Sequence, residues 1–201
     1  WMVEAGVTSW QFLPLGPTDE YGSCYSSWSS LSGNPWLVDL RVLHQQGLLT
    51  HEELEQARED RLDRVDFEKI HRIKQNLLET AATRFLTQKE YHPWSKAWKA
   101  FGTDAQWARD AGTFRYLKAK HDGKPWWEWP AKDRNPTEKR IQSFFKEGQD
   151  AIEKWMVQEF FFETQMQELR QYCEARGVEL IGDVAMYVAG DSVDVWRQQS
   201  L

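Results

Sequence analysis

The stretch VELIGDVAMYVAGDSVDVW, residues Val178 to Trp196, decides how this chain is read. Val178, Leu180 and Ile181, then Val184, Met186, Tyr187 and Val188, have the β-rich apolar composition of a strand buried on both faces. Such strands belong to parallel sheets, and in closed (β/α) barrels the C-terminal strand ends carry the chemistry. Asp183 interrupts the run. A carboxylate placed there is costly unless it is paired, hydrogen-bonded or put to use, which makes Asp183 the first candidate catalytic residue. A strand-end aspartate can equally cap a helix or shape a turn, so both readings stand at this point.

Directly upstream, residues 149–176 carry Ile152, Trp155, Met156, Phe160, Met166, Leu169 and Tyr172 in the pattern of a long helix. Gly177 sits where a terminating glycine belongs, and the apolar run begins at once. A helix feeding straight into a buried strand is the αβ step of a parallel sheet. Before it, Thr137 is a plausible N-cap for a helix through Ile141, Phe144 and Phe145, with Gly148 as its breaker.

At the other end, Ser9 to Leu15 (SWQFLPL) reads as a short strand ending at Pro14. Residues Gly16 to Pro35 follow as a long Gly-, Ser- and Pro-rich loop bearing Tyr21, Tyr25 and Trp28. Long ordered loops in compact domains usually serve a function, and tyrosines among hydroxyls suit a polyhydroxylated ligand. Leu37 to Leu40 is a further strand candidate. Thr50 and Glu53 form a capping box, and from about Val65 the residues Phe67, Ile70, Ile73, Leu77, Ala81 and Phe85 make one helical stripe. Residues 96–101, 103–111 and 113–120 look like three short helices leading to GKPWWEWP, Gly123 to Pro130. Its two prolines argue against regular structure there, and its tryptophans read first as a packing staple.

The chain has 201 residues, 41% hydrophobic and 28% charged, with a net charge of −6. That composition is globular, and the charge gives no reason to expect a nucleic-acid or membrane partner. No segment is apolar and long enough to span a bilayer. Two cysteines, Cys24 and Cys173, are too few for a disulfide scaffold and fit a reducing compartment. Starting at Trp1 in mid-pattern, the chain reads as a fragment. Twelve tryptophans form either a Trp-rich core or platforms for the C–H faces of sugar rings.

Phosphate-loop, dinucleotide, nucleophile-elbow and H-E-x-x-H motifs are missing. The five histidines are scattered and read as surface residues, no metal or organic cofactor is expected, and no histidine signature accompanies Cys24. The order of strand, loop, strand, helical block and strand predicts an α/β fold.

Two stretches point to a family. Trp10 to Leu40, WQFLPLGPTDEYGSCYSSWSSLSGNPWLVDL, resembles the first strand and loop of the 4-α-glucanotransferases (amylomaltases, or disproportionating enzymes), and Leu180 to Trp196 resembles their third-strand signature. The segment between them is similar to the helical insertion of that family. The resemblance implies a partial (β/α)8 TIM barrel, about its first three strands, with residues 1–48 starting the barrel, 49–148 forming the helical insertion, and 149–201 supplying a barrel helix, the third strand and its loop. It implies transfer of α-1,4-glucan segments between maltooligosaccharides by a retaining double displacement, in the cytoplasm, or the plastid stroma of a plant or alga.

Position by position, the resemblance assigns Asp183 to the aspartate beside the glucose at the point of cleavage, Tyr25 to the tyrosine stacking on that sugar, and Ser23 to a serine lining its site. Asp191, Ser192 and Trp196 would shape the barrel mouth. Cys24 and Ala185 stand where the family usually has proline, and Glu20 where it often has the tyrosine of a secondary glucan site. The R-x-D-H nucleophile and E-D-L-G acid/base motifs do not occur, so these residues alone are not expected to turn over substrate. A maltodextrin hydrolase and a non-catalytic glucan-binding module remain the alternatives.

Overall fold

The computed structural model describes residues 1–19, 21–58 and 66–200. Glu20 and Val65, on which the sequence reading drew, lie outside the described residues. In chain order the elements are β1 (Ser9–Gln11), α1 (Leu40–Gln45), α2 (His51–Ala57), α3 (Phe67–Gln88), α4 (Ser95–Asp104), α5 (Gln106–Lys120), α6 (Ala131–Arg134), α7 (Glu138–Glu147), α8 (Gln149–Glu174), β2 (Glu179–Ile181) and α9 (Val193–Arg197). The chain is thus mostly helical, and β1 and β2 pair in parallel with Ser9 opposite Glu179 and Gln11 opposite Ile181.

Three strand expectations need correction. The run after Val178 forms a strand only over Glu179–Ile181, while Val184, Met186, Tyr187 and Val188 are exposed and non-regular. A strand is buried by the strands and helices around it, and among the described residues no further strand flanks this pair. The first strand likewise stops at Gln11 rather than at Leu15. Leu37–Leu40 is no strand: Asn34 accepts the Trp36 amide to start a 3-10 turn over Pro35–Leu37, and Asp39 accepts the Arg41 amide to start α1. Side-chain caps claimed this backbone before a ladder could form.

The helices follow local signals closely. Thr50 and Glu53 make the reciprocal capping box of α2, and the Glu53 carboxylate also takes both arms of Arg84 on α3, at 2.6 and 2.8 Å. Asp66 caps α3, whose Leu78, Ala81, Ala82 and Phe85 face inward. Residues 95–120 form two helices rather than three, broken only at Ala105. Gly148 divides α7 from α8, and a Cβ there would come within 2.6 Å of the Tyr116 ring. Gly177 turns the chain out of α8 with φ +68°, and Val178 donates back to Cys173.

Helix α8 is the spine. On one side Phe160 and Phe161 pack with Phe85, Leu78, Leu43 and Leu48; on the other Ile152 and Met156 meet Ala108. A third cluster joins Phe114, Trp129, Phe144 and Trp196. Most tryptophans therefore pack, as in the first of their two readings. In GKPWWEWP, Trp129 is buried and Trp126 bonds the Gly190 carbonyl, whereas Trp127 remains exposed. Of the histidines, His51 is exposed, His44, His71 and His121 are half-buried, and His92 is buried. The buried His92 takes the Trp94 amide on Nδ1 and so gives its Nε2 proton to Gln46, while His121 meets the buried Asp133 at 3.0 Å. Backbone partners offset the cost of burying His92, and the Asp133 carboxylate serves the half-buried His121. No described helix is long and apolar enough to cross a membrane.

Candidate active site

Because β1 and β2 run parallel, the loops that follow them leave the same end of the pair. The Phe12 amide still reaches the Ile181 carbonyl at 3.0 Å before the chains part. Asp183 stands two residues beyond β2. The first loop curls by an Asx turn in which one Asp19 oxygen accepts the Tyr21 and Ser23 amides at 3.0 and 2.8 Å. Gly22 sits at φ +81° within it, a conformation open to glycine. The Ser23 hydroxyl then accepts the Tyr25 amide at 3.3 Å.

This presents the Tyr25 hydroxyl to Asp183, donating to Oδ2 at 2.6 Å, while Asp183 Oδ1 accepts the Val184 amide at 2.8 Å. The bond to Asp183 raises the Tyr25 phenol above its ordinary value, with burial and the nearby carboxylate charge adding to it. Both carboxylate oxygens are thus held in fixed directions. Asp183 caps no described helix, since Ser192 caps α9 by accepting the Val195 amide.

Two hollows open beside the first loop, and Asp183 lines the smaller of them. A small one of about 190 Å³ lies between Asp183, Tyr187 and Val188 and the loop residues Cys24, Ser27 and Ser29. A larger cleft of about 690 Å³ is lined by Tyr21, Trp28, Trp36, Arg115, Lys118 and Asp191. In it the Arg115 guanidinium carbon lies 5.3 Å from the centre of Trp28 and 5.0 Å from that of Trp155, a cation–π arrangement. Trp36 stacks on His71 at 4.5 Å, and burial lowers the His71 pKa.

Of the residues singled out from sequence, Tyr25, Ser23 and Asp183 come together around the strand ends. Asp191 lines the larger cleft, where it takes the Lys118 ammonium at 2.5 Å and the Trp126 amide at 3.1 Å. Ser192 and Trp196 lie behind that surface: Ser192 is buried at its cap, and Trp196 is in the core with its indole donating to the Asp133 carbonyl at 3.0 Å. Sequence reasoning passed over Arg115 and Lys118, which follow Phe114 in a stretch read only as a short helix. It also passed over Glu159, whose signal was a lone charge inside WMVQEFFF. Among the described residues no group of three or more His, Cys, Asp or Glu could hold a metal ion.

Comparison with known proteins agrees with this picture. Residues 1–201 match the family model described as 4-alpha-glucanotransferase. The chain is 34% identical over 198 residues to the 4-alpha-glucanotransferase of Thermus thermophilus, covering 96% of this chain and 38% of that protein. It is 32% identical over 204 residues to the chloroplastic/amyloplastic 4-alpha-glucanotransferase of Oryza sativa subsp. japonica, covering 99% and 34%. The structure of amylomaltase from Streptococcus agalactiae in complex with acarbose superposes with a TM-score of 0.90 at 27% identity, covering 100% of this chain and 40% of that one. The chain thus spans between 34% and 40% of the length of these relatives. With one family model matching it from end to end, the chain belongs to the 4-alpha-glucanotransferase family.

Proposed function

We propose that the protein carrying this chain is a 4-α-glucanotransferase acting on maltooligosaccharides and starch-type α-1,4-glucans. The observation that carries the reading is the Tyr25–Asp183 hydrogen bond at the C-terminal ends of two parallel strands. It supports a partial (β/α)8 barrel in which residues 1–48 and 149–201 belong to the barrel and residues 49–148 to the helical insertion. Asp183 accepts hydroxyls of the glucose at the cleavage point, Tyr25 packs its ring on that sugar, and Ser23 lines the same site. Asp191 shapes the rim, backed by Ser192 and Trp196.

In the retaining mechanism a carboxylate attacks the anomeric carbon as the glycosidic C–O bond breaks, and an acid gives its proton to the departing 4-oxygen. The acceptor sugar then surrenders its 4-hydroxyl proton to the same group and displaces the carboxylate. Both reacting carboxylates belong to motifs outside these residues, so Asp183 and Tyr25 orient the sugar rather than react with it. The chemistry requires carboxylates alone, and neither nucleic acid nor membrane is a partner. Action in the cytoplasm, or in the plastid stroma of a plant or alga, is supported by the free thiols of Cys24 and Cys173.

Incubating the full-length protein with maltotriose tests the reading. Glucose together with maltopentaose and longer chains is expected; glucose and maltose without longer chains would mean hydrolysis, and no product at all would favour a binding module.

A further inference from the structure

Glu159 lies on α8 in the middle of an aromatic run, and only 2% of it is exposed. Its Oε2 accepts the Gly33 amide of the first loop at 2.9 Å, while Oε1 is buried without a hydrogen-bond partner. Among the described residues no Lys, Arg or His forms an ion pair with it. Burial pushes it up to about 8 against the pull of the Gly33 amide and the neighbouring Ser32 hydroxyl, and the charge of Glu163, one turn along α8, acts in the same direction as burial. A buried carboxyl with no cation is costly to keep, and nothing in the packing of α8 requires it. What it touches is the loop.

That loop limb is clamped from two sides. A Cβ on Gly33 would enter the ring of Phe162, so the backbone there lies flat on α8. The Asn34 amide bonds the Leu15 carbonyl at 2.8 Å. From Gly33 a relay of serines runs back toward the site. The Ser32 amide donates to Ser29 Oγ at 3.2 Å, the Ser29 amide donates to Ser27 Oγ at 3.2 Å, and Ser27 Oγ returns a bond to the Ser29 carbonyl at 2.7 Å. Ser27 walls the small cavity with Asp183, and Tyr25 stands two residues before it.

We propose that Glu159 is a positioning residue for the reaction centre: by holding the Ser29–Gly33 limb against α8 it sets where the Tyr25 hydroxyl stands relative to Asp183. This rests on the reading of Tyr25 and Asp183 given above. Glu159 touches no substrate and acts only through the loop.

The test compares Glu159→Gln, which keeps an acceptor for the Gly33 amide, with Glu159→Leu, which keeps the volume and removes the acceptor. Both are made in the full-length protein, each with and without Tyr25→Phe, and thermal melts establish folding. The Tyr25 titration is read from the ultraviolet difference between each protein and its Tyr25→Phe counterpart, and kcat and KM from maltotriose disproportionation. Glu159→Leu is expected to bring the Tyr25 titration down toward an ordinary phenol and to lower kcat by about tenfold or more with KM changed by less than about twofold, and Glu159→Gln to preserve both. Wild-type titration in Glu159→Leu, or equal losses in both variants, overturns the proposal. If the wild type transfers no glucan but the titration shifts as expected, the functional reading fails and the positioning role stands. Should Glu159→Leu not fold, Ser29→Ala interrupts the relay without emptying the core: a lowered Tyr25 titration supports the proposal, and an unchanged one overturns it.

Discussion

The phenolic oxygen of Tyr25 stands 2.6 Å from Oδ2 of Asp183, joining two loops whose anchoring residues are 158 positions apart in sequence. A bond of this length to a carboxylate fixes both side chains. Tyr25→Phe in the full-length protein should therefore lower kcat about tenfold, and Asp183→Asn about a hundredfold or more, with melting temperatures close to wild type. Initial rates of glucose release from maltotriose check both. Near-normal turnover in Asp183→Asn would reduce that residue to a turn-former.

Stability should fall with rising pH because of Glu159. Its carboxyl ionises near 4.5 when unfolded but is held protonated up to about 8 in the folded chain, burial being the main cause. The raised folded value means that its contribution is complete below the unfolded pKa and is lost as pH climbs toward the folded one. The loss amounts to at most about 1.4 kcal/mol per pH unit across that window. Urea unfolding of wild type and Glu159→Gln at several pH values checks this, since the glutamine variant should show a flatter profile.

Gly33→Ala should cost about 1–3 kcal/mol, the ordinary penalty of forcing a methyl into filled space. The space is filled by the Phe162 ring, which projects from the long helix α8. Thermal melts of Gly33→Ala and of the double variant Gly33→Ala with Phe162→Leu separate the clash from any other effect, because the smaller partner should restore part of the loss.

Asp191→Ala leaves the partly buried Lys118 ammonium without its carboxylate and the Trp126 amide without an acceptor. A loss of about 1–3 kcal/mol is expected. Asp191→Asn, which keeps an acceptor, should recover part of it in the same melts.

How much of this could be read in advance depended on distance along the chain. The α2 capping box, the α3 helix, the Gly148 break and the Gly177 exit are all decided within a few residues, and each was legible, although of the expected α3 stripe Ala81 and Phe85 are buried while Phe67 is exposed. Asn34 and Asp39 are equally local signals, but the apolar letters of Leu37–Leu40 masked them. The exposed Val184–Val188 run misled for another reason: its composition records burial that no described neighbour supplies. The site residues were matched through motif resemblance, whereas the Tyr25–Asp183 bond itself depends on two strands pairing across the whole chain. Arg115 between Trp28 and Trp155, and Glu159 under Gly33, arise only from helices meeting a loop, and no sequence pattern announces such meetings.

The parallel pair β1–β2 has a practical consequence for handling the molecule. Among the described residues its outer backbone edges are unpaired, and Val184, Met186, Tyr187 and Val188 stand in water beside them. Copies of a polypeptide limited to these residues would adhere to one another through that face. The clarity of such a preparation then falls as its concentration rises.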